Sequence, residues 1–149
     1  MKEDKTVRVY LAGPIPDHEP RVSHLWRQNI IDFFKHDKRV EFLDPTRRTY
    51  DGMSNEEKNI FIVQNDLIDI RHSDIVLVNP NYERMEGTPM EMVYAYKVYN
   101  KTVLLVNNEN VGPWMYFHST VRVPDLVQAI NFIRAFCDER FSEDLELYK

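Results

Sequence analysis

The sequence predicts an α/β domain built on a five-stranded parallel sheet with helices on both faces. Three observations carry that expectation. Short apolar runs rich in β-branched residues recur along the chain, the clearest being Ile75-Val76-Leu77-Val78, too short for a helix and continuous enough for a strand covered on both sides. These runs alternate with helical apolar patterns, the β-α order that builds parallel sheets. No internal repeat or low-complexity tract interrupts the alternation.

The elements follow in order. Val7 to Ala12 reads as the first strand, ended by Gly13-Pro14-Ile15-Pro16 and a loop restricted by three prolines. Arg21 to His36 carries Val22, Leu25, Trp26, Ile30, Phe33 and Phe34 at helical spacing, and Val40 to Leu43 gives a second strand. A polar, basic loop with the pair Arg47-Arg48 leads to a helix from about Asn55 to His72, and then to the Ile75 to Val78 strand. Paired arginines are most often solvated or in surface ion pairs, although at a strand end they can meet a base or phosphate. Gly87-Thr88-Pro89-Met90-Glu91 opens the next helix, Thr102 to Val106 is a fourth strand, and Thr120 to Val123 a short fifth. A helix over Pro124 to Arg140 closes the domain, its apolar positions being Leu126, Val127, Ile130, Ile133 and Phe136. The apolar segment Trp114-Met115-Tyr116-Phe117, in the connection before the fifth strand, is costly to leave in water and is expected to wall a pocket or meet another subunit.

Composition narrows the function. A length of 149 residues, 43% hydrophobic and 29% charged, suits one globular domain. With 19 basic against 24 acidic residues the net charge is −5, the wrong sign for general binding to a nucleic-acid polymer, so a small-molecule partner is expected. The lone Cys137 admits no internal disulfide or thiolate cluster and reads as a buried or half-buried thiol. The five histidines show no ligand spacing, so neither a metal nor another cofactor is expected. No long apolar run suggests a membrane span, and a charged start leading straight into a strand makes the cytoplasm the expected location.

Two carboxylates stand out. Ile62, Asp66 and Ile70 lie four apart on one helical row, with Val63 and Leu67 beside it, which sets an acid on or beside an apolar stripe. Burial would raise its pKa and make it a proton donor; alternatively it lies at the stripe's edge and bonds a neighbour. Glu91 stands three residues after Thr88, with Pro89 between, which reads as a capping box. It also stands in a helix's first turn, where the dipole favours an ionised carboxylate, at the mouth of a parallel sheet where ligands bind. Both readings remain open from spacing alone. Walker, dinucleotide-binding, zincin and nucleophile-elbow motifs are all missing from the sequence.

A series of short motifs narrows the choice. Tyr10-Leu11-Ala12-Gly13-Pro14, Trp26-Arg27, Asp44-Pro45-Thr46-Arg47, Asn65-Asp66-Leu67 with Ile70 and Ser73-Asp74, then Gly87-Thr88 leading to Glu91 and Ala95, together resemble the nucleoside 2-deoxyribosyltransferase family, including its relatives that hydrolyse deoxynucleoside 5′-monophosphates. The resemblance runs from the first strand to the Met115 region. It implies a flavodoxin-like three-layer sandwich over residues 1–149, no cofactor, and transfer of deoxyribose between nucleobases on a homo-oligomeric enzyme. In that likeness Glu91 matches the nucleophile, Tyr10 the residue that orients it, and Asp66 the group that handles the base's proton. Gly13, Pro14, Trp26, Arg27, Pro45, Arg47, Asn79 and Gly87 are implied around the substrate, Met115 beside the sugar, and Tyr148 as an aromatic offered to a neighbouring subunit. The chain departs from the pattern at Met85 and Pro113, where polar groups would hold the sugar's 5′ end. Arg21, Ser23, His24, His118 and Ser119 are candidates to hold a phosphate instead. Expected substrates are therefore a 2-deoxynucleoside or its monophosphate together with a free base; the alternatives are hydrolysis with water as acceptor and a binding domain without catalysis.

Overall fold

Five strands, β1 (Val7–Ala12), β2 (Val40–Leu43), β3 (Ile75–Val78), β4 (Thr102–Val106) and β5 (Val121–Val123), pair in the order β2-β1-β3-β4-β5 in the computed structural model, every pair parallel. The structure describes residues 3–15, 20–80, 85–106 and 111–142, with the side chains of 20–23 left aside. All five strands stand where the apolar runs predict them, and strand order with flanking helices makes this a flavodoxin-like α/β sandwich.

Alternation along the strands divides the interior in two. Val7, Val9, Leu11, Ile75, Leu77, Leu104 and Val106 point to one face, where α1 (Pro20–Phe33) supplies Ile30 and α5 (Leu126–Arg140) supplies Ala129, Ile133 and Cys137, with Phe34 just beyond α1. Tyr10, Ala12, Val76, Val78, Val103 and Leu105 point to the other, against Ile70 of α2 (Asn55–His72), Met92 of α3 (Gly87–Val93), Ala95 and Met115 of α4 (Pro113–Phe117). Tyr10 thus shares the face of α2 and α3. Cys137 is buried and carries no disulfide, as its helical position suggested.

Helix ends explain where the elements stop. Ser54 caps α2 by accepting from the Glu57 N–H, and Asp125 caps α5 by accepting from Gln128 N–H. The connection before β5 contains a short helix, α4, because Pro113 is suited to a first helical turn and Gly112 precedes it in extended backbone. After Val93 the chain winds into one π-helical turn, Tyr94–Val98, with the Tyr99 N–H donating to the Tyr94 carbonyl five residues back. Asn100, in the left-handed region at φ 52°, ends it.

One surface feature follows from α2. Its buried residues are Asp69 and Ile70, whereas Ile60, Phe61, Ile62, Val63 and Ile68 are each 39–56% exposed. The row Ile62-Asp66-Ile70 therefore runs from solvent into the core, and Asp66 stands at the boundary.

Candidate active site

Parallel strands put their carboxyl ends on one edge, and β1 and β3, the central neighbours where the strand order reverses, open a crevice there. The Asn79 N–H donates to the Ala12 carbonyl and continues the pairing to the rim. Gly13 sits in that floor with no room for a side chain: a Cβ would lie 2.8 Å from the Asn79 carbonyl oxygen and 3.2 Å from the Trp26 ring. This close approach accounts for a glycine after β1.

Arg27 is the largest side chain buried in the site, fully out of solvent. Its Nε donates to the Leu11 carbonyl at 3.3 Å and a terminal nitrogen donates to the Gly13 carbonyl at 3.0 Å; the guanidinium lies over the Trp26 ring and 3.9 Å from Asp44. Arg27 therefore ties α1 to the end of β1 and places a cation beneath the crevice. Asp44 accepts from the Thr46 N–H and hydroxyl and so shapes the short 3₁₀ turn Pro45–Arg47, in which Pro45 is buried.

The capping box is not formed. The first turn of α3 begins at Gly87, one residue before the expected cap, so Thr88 lies inside it, buried, and no side chain caps that end. Glu91 is turned instead toward β1, where it accepts a hydrogen bond from the Tyr10 hydroxyl. Its Oε2 atom is buried with no hydrogen-bond partner among the described residues. An orphaned carboxylate oxygen is expensive to bury, and such atoms cluster at functional sites.

The electrostatics reverse one expectation. The helix dipole alone would keep Glu91 ionised, but burial pushes its carboxyl up to about 8; the Tyr10 hydrogen bond opposes that rise, Asp66 adds to it, and Arg27 opposes it. Desolvation outweighs the dipole because α3 is short and Oε2 is cut off from water. Burial, with the charges of Glu91 and Asp66, holds the Tyr10 phenol well above its ordinary value, so it stays a donor. Asp66 is raised to about 6, by burial first and Asp69 second, against Arg48, Arg47 and Arg27. The boundary position of α2 thus produces the raised acid that its stripe suggested.

Around this centre Met115 packs in the same core as Tyr10 and Met92, and Gly87 leaves room beside Glu91, a Cβ there lying 3.7 Å from Oε1. Trp26, Pro14 and Asn79 line the β1 and β3 rim, half-buried. Other candidates are engaged elsewhere. Arg47 forks onto Asp69. His118 stacks on Trp114 and its Nδ1 contacts the Trp114 carbonyl at 2.7 Å, while the Ser119 hydroxyl donates to the Tyr116 carbonyl and accepts from Arg122. Those contacts are local to α4 and do not turn either residue to Glu91. Trp114 and Phe117, with Lys97, Pro113 and His118, line a separate surface cavity of about 400 Å³, as the apolar segment led one to expect. Tyr148 lies outside the described residues, and the side chains of Arg21 and Ser23 are not described. Among the described residues no group of three His, Cys, Asp or Glu is disposed to hold a metal ion, and no helix is long and apolar enough to cross a membrane.

The chain is similar in structure to a 2-deoxyribosyltransferase from Bacillus psychrosaccharolyticus, with a TM-score of 0.64 and 20% identity over 84% of this chain and 91% of that one. The fold is shared. It is also similar to a conserved protein from Enterococcus faecalis V583, with a TM-score of 0.66 and 12% identity over 87% of this chain and 98% of that one. The CMP N-glycosidase BcmB of Clostridium botulinum gives 0.52 and 18% over 86% and 98%. No family model matches the chain, and no curated protein matches it at a significant level. A deoxyribosyltransferase and an N-glycosidase, the two activities that the motif resemblance implies, therefore stand among proteins built on this flavodoxin-like fold.

Two acids that the motif resemblance gave no role belong to the site's surroundings. Asp44 reaches it through Arg27, and Asp69 through Arg47 and Arg48. A signal for Asp69 was present: an acid three residues after Asp66 shares its helix face, and the chain carries an arginine pair to meet it.

Proposed function

We propose that this protein is a cytoplasmic nucleotide-salvage enzyme that cleaves the N-glycosidic bond of a 2-deoxyribonucleoside and transfers the deoxyribose to another nucleobase through a glycosyl ester on Glu91. The observation that carries this reading is the buried, unpartnered Oε2 of Glu91 beside Tyr10 and near Asp66. A capping role leaves that atom unexplained, and a binding domain has no need of it.

A Glu91 oxygen bonds to the anomeric carbon while the bond to the base breaks; its electron pair goes to the base nitrogen, which takes the Asp66 proton. Tyr10 donates to Glu91, and Arg27 adds positive potential, so both favour the charged nucleophile. An incoming base then attacks the anomeric carbon, returns its proton to Asp66 and frees Glu91, with overall retention. Hydrolysis is a second reading, supported by the likeness to a CMP N-glycosidase; Met85 and Pro113 stand where either activity would place polar groups at the sugar's 5′ end, and so favour neither.

Deoxyuridine or deoxyinosine with free adenine, followed by chromatography, tests the proposal. Deoxyadenosine is expected; free base from a 5′-monophosphate without acceptor would indicate the hydrolase, and silence in both would remove catalysis.

The pH dependence follows from the two carboxyls. They interact, so the values near 6 and 8 belong to the pair; of its one-proton forms the major one has the proton on Glu91, and the competent one, with Glu91 charged and Asp66 protonated, is the minor. Below about 6 the pair holds two protons and lacks a nucleophile, and above about 8 it holds none and lacks an acid. kcat/KM is therefore expected to be bell-shaped with its maximum between those limbs. A profile rising continuously past pH 9 would contradict the assignment.

Self-association is part of the proposal, supported by the exposed apolar face of α2. Light scattering should give a dimer or larger, and Phe61→Glu with Val63→Glu a monomer.

A further inference from the structure

Asp69 is buried, one helical turn beyond Asp66 on α2, and receives two arginine forks at once. Arg47 donates to its two oxygens at 2.9 and 2.9 Å, and Arg48 at 2.7 and 2.8 Å. Two guanidiniums on one carboxylate leave an excess positive charge beside Asp66, and residues three apart on a helix are neighbours. An aspartate flanked by arginines ordinarily pairs with them and becomes a poor proton donor.

We propose that Asp69 is a positioning residue for the general acid: by anchoring Arg47 and Arg48 in paired forks, it keeps both guanidiniums from closing on Asp66, which stays available to carry a proton. This rests on the reading of Asp66 as the group that protonates the leaving base. The charged and titratable groups acting on Asp66 come from each surrounding element: Asp69 from α2 itself, Arg47 and Arg48 from the β2 to α2 connection, Arg27 from α1, Tyr10 from β1 and Glu91 from α3. Asp69 favours the protonated form of Asp66 and the three arginines oppose it. Asp69 itself is raised by burial, but the hydrogen bonds from Arg47 and Arg48 prevail and hold it below its ordinary value, so the anchor stays charged.

The test is a carbon-detected NMR titration of the Asp66 side-chain carboxyl in the full chain, without substrate, assigned by comparison with Asp66→Asn. In Asp69→Asn the acid loses its neighbouring anion and meets two released cations, so its midpoint should fall by roughly one pH unit or more. In Arg48→Gln it should rise. A midpoint that stays in place, or moves the other way, in the folded Asp69→Asn protein overturns the proposal; if that variant does not fold, a midpoint in Arg48→Gln that fails to rise overturns it. The titration needs no turnover. Loss of the functional reading would appear separately, as wild-type protein inactive on nucleosides and monophosphates while Asp66 still responds to Asp69.

Discussion

Glu91→Gln is expected to abolish turnover, by about 10⁴-fold or more, and to make the protein more stable at alkaline pH. The first half follows from amide chemistry: glutamine keeps the shape but offers no carboxylate oxygen to bond the anomeric carbon. The second follows from linkage. Glu91 has a native value near 8 against an ordinary 4.5, so the folded state holds its proton more tightly than the unfolded chain does. The stability this contributes is complete below about 4.5 and is lost as the pH rises to about 8, where the fold must bury a charge. Glutamine has no proton to lose, and above pH 8 it should regain a few kcal/mol. Thermal unfolding should show the variant melting roughly 5–10 °C higher than wild type at pH 9 and within a degree or two of it at pH 4.5. A difference between variant and wild type that is the same at both pH values would mean that Glu91 is solvated.

Arg27→Leu should be the most damaging substitution outside the reacting carboxyls. It strips the Leu11 and Gly13 carbonyls of a donor and removes the cation facing Asp44, Tyr10, Glu91 and Asp66. Breaking a buried ionic arrangement from one side costs about 3–5 kcal/mol, because the remaining groups keep their desolvation without compensation. Arg27 also favours the charged form of Glu91, so the alkaline limb of the pH profile should move upward and the rate at neutral pH should fall with it. Urea denaturation measures the first effect and the pH profile the second. Arg27→Lys separates them: the charge survives, but the planar fork that reaches two carbonyls does not, so much of the stability should be lost while the limb moves less. Equal behaviour of the leucine and lysine variants in both measurements would refute a role for the charge.

Local chemistry made much of this protein readable before any coordinates. The five apolar runs determined five strands, because a parallel sheet covered on both faces needs continuous hydrophobic segments. The Asn55–His72 helix has its expected ends because Ser54 can cap it and Ser73 begins the approach to β3. Asp66 was visible as an acid on an apolar row. Sequence spacing could not decide what Glu91 does, since a capping box and a nucleophile at a helix start share one pattern. Packing decided against the cap: α3 starts at Gly87, no side chain caps it, and the Glu91 side chain meets Tyr10 from a strand eighty-one positions earlier in number. The charge state was likewise out of reach of the sequence, because desolvation depends on which atoms surround a carboxyl and not on which residues precede it. For the same reason the partners of Arg27 and Asp69 emerged only from tertiary structure, although Arg27 stood in a motif and Asp69 on the face of Asp66: guanidiniums and their acceptors lie far apart along the chain, and such contacts leave no periodic trace.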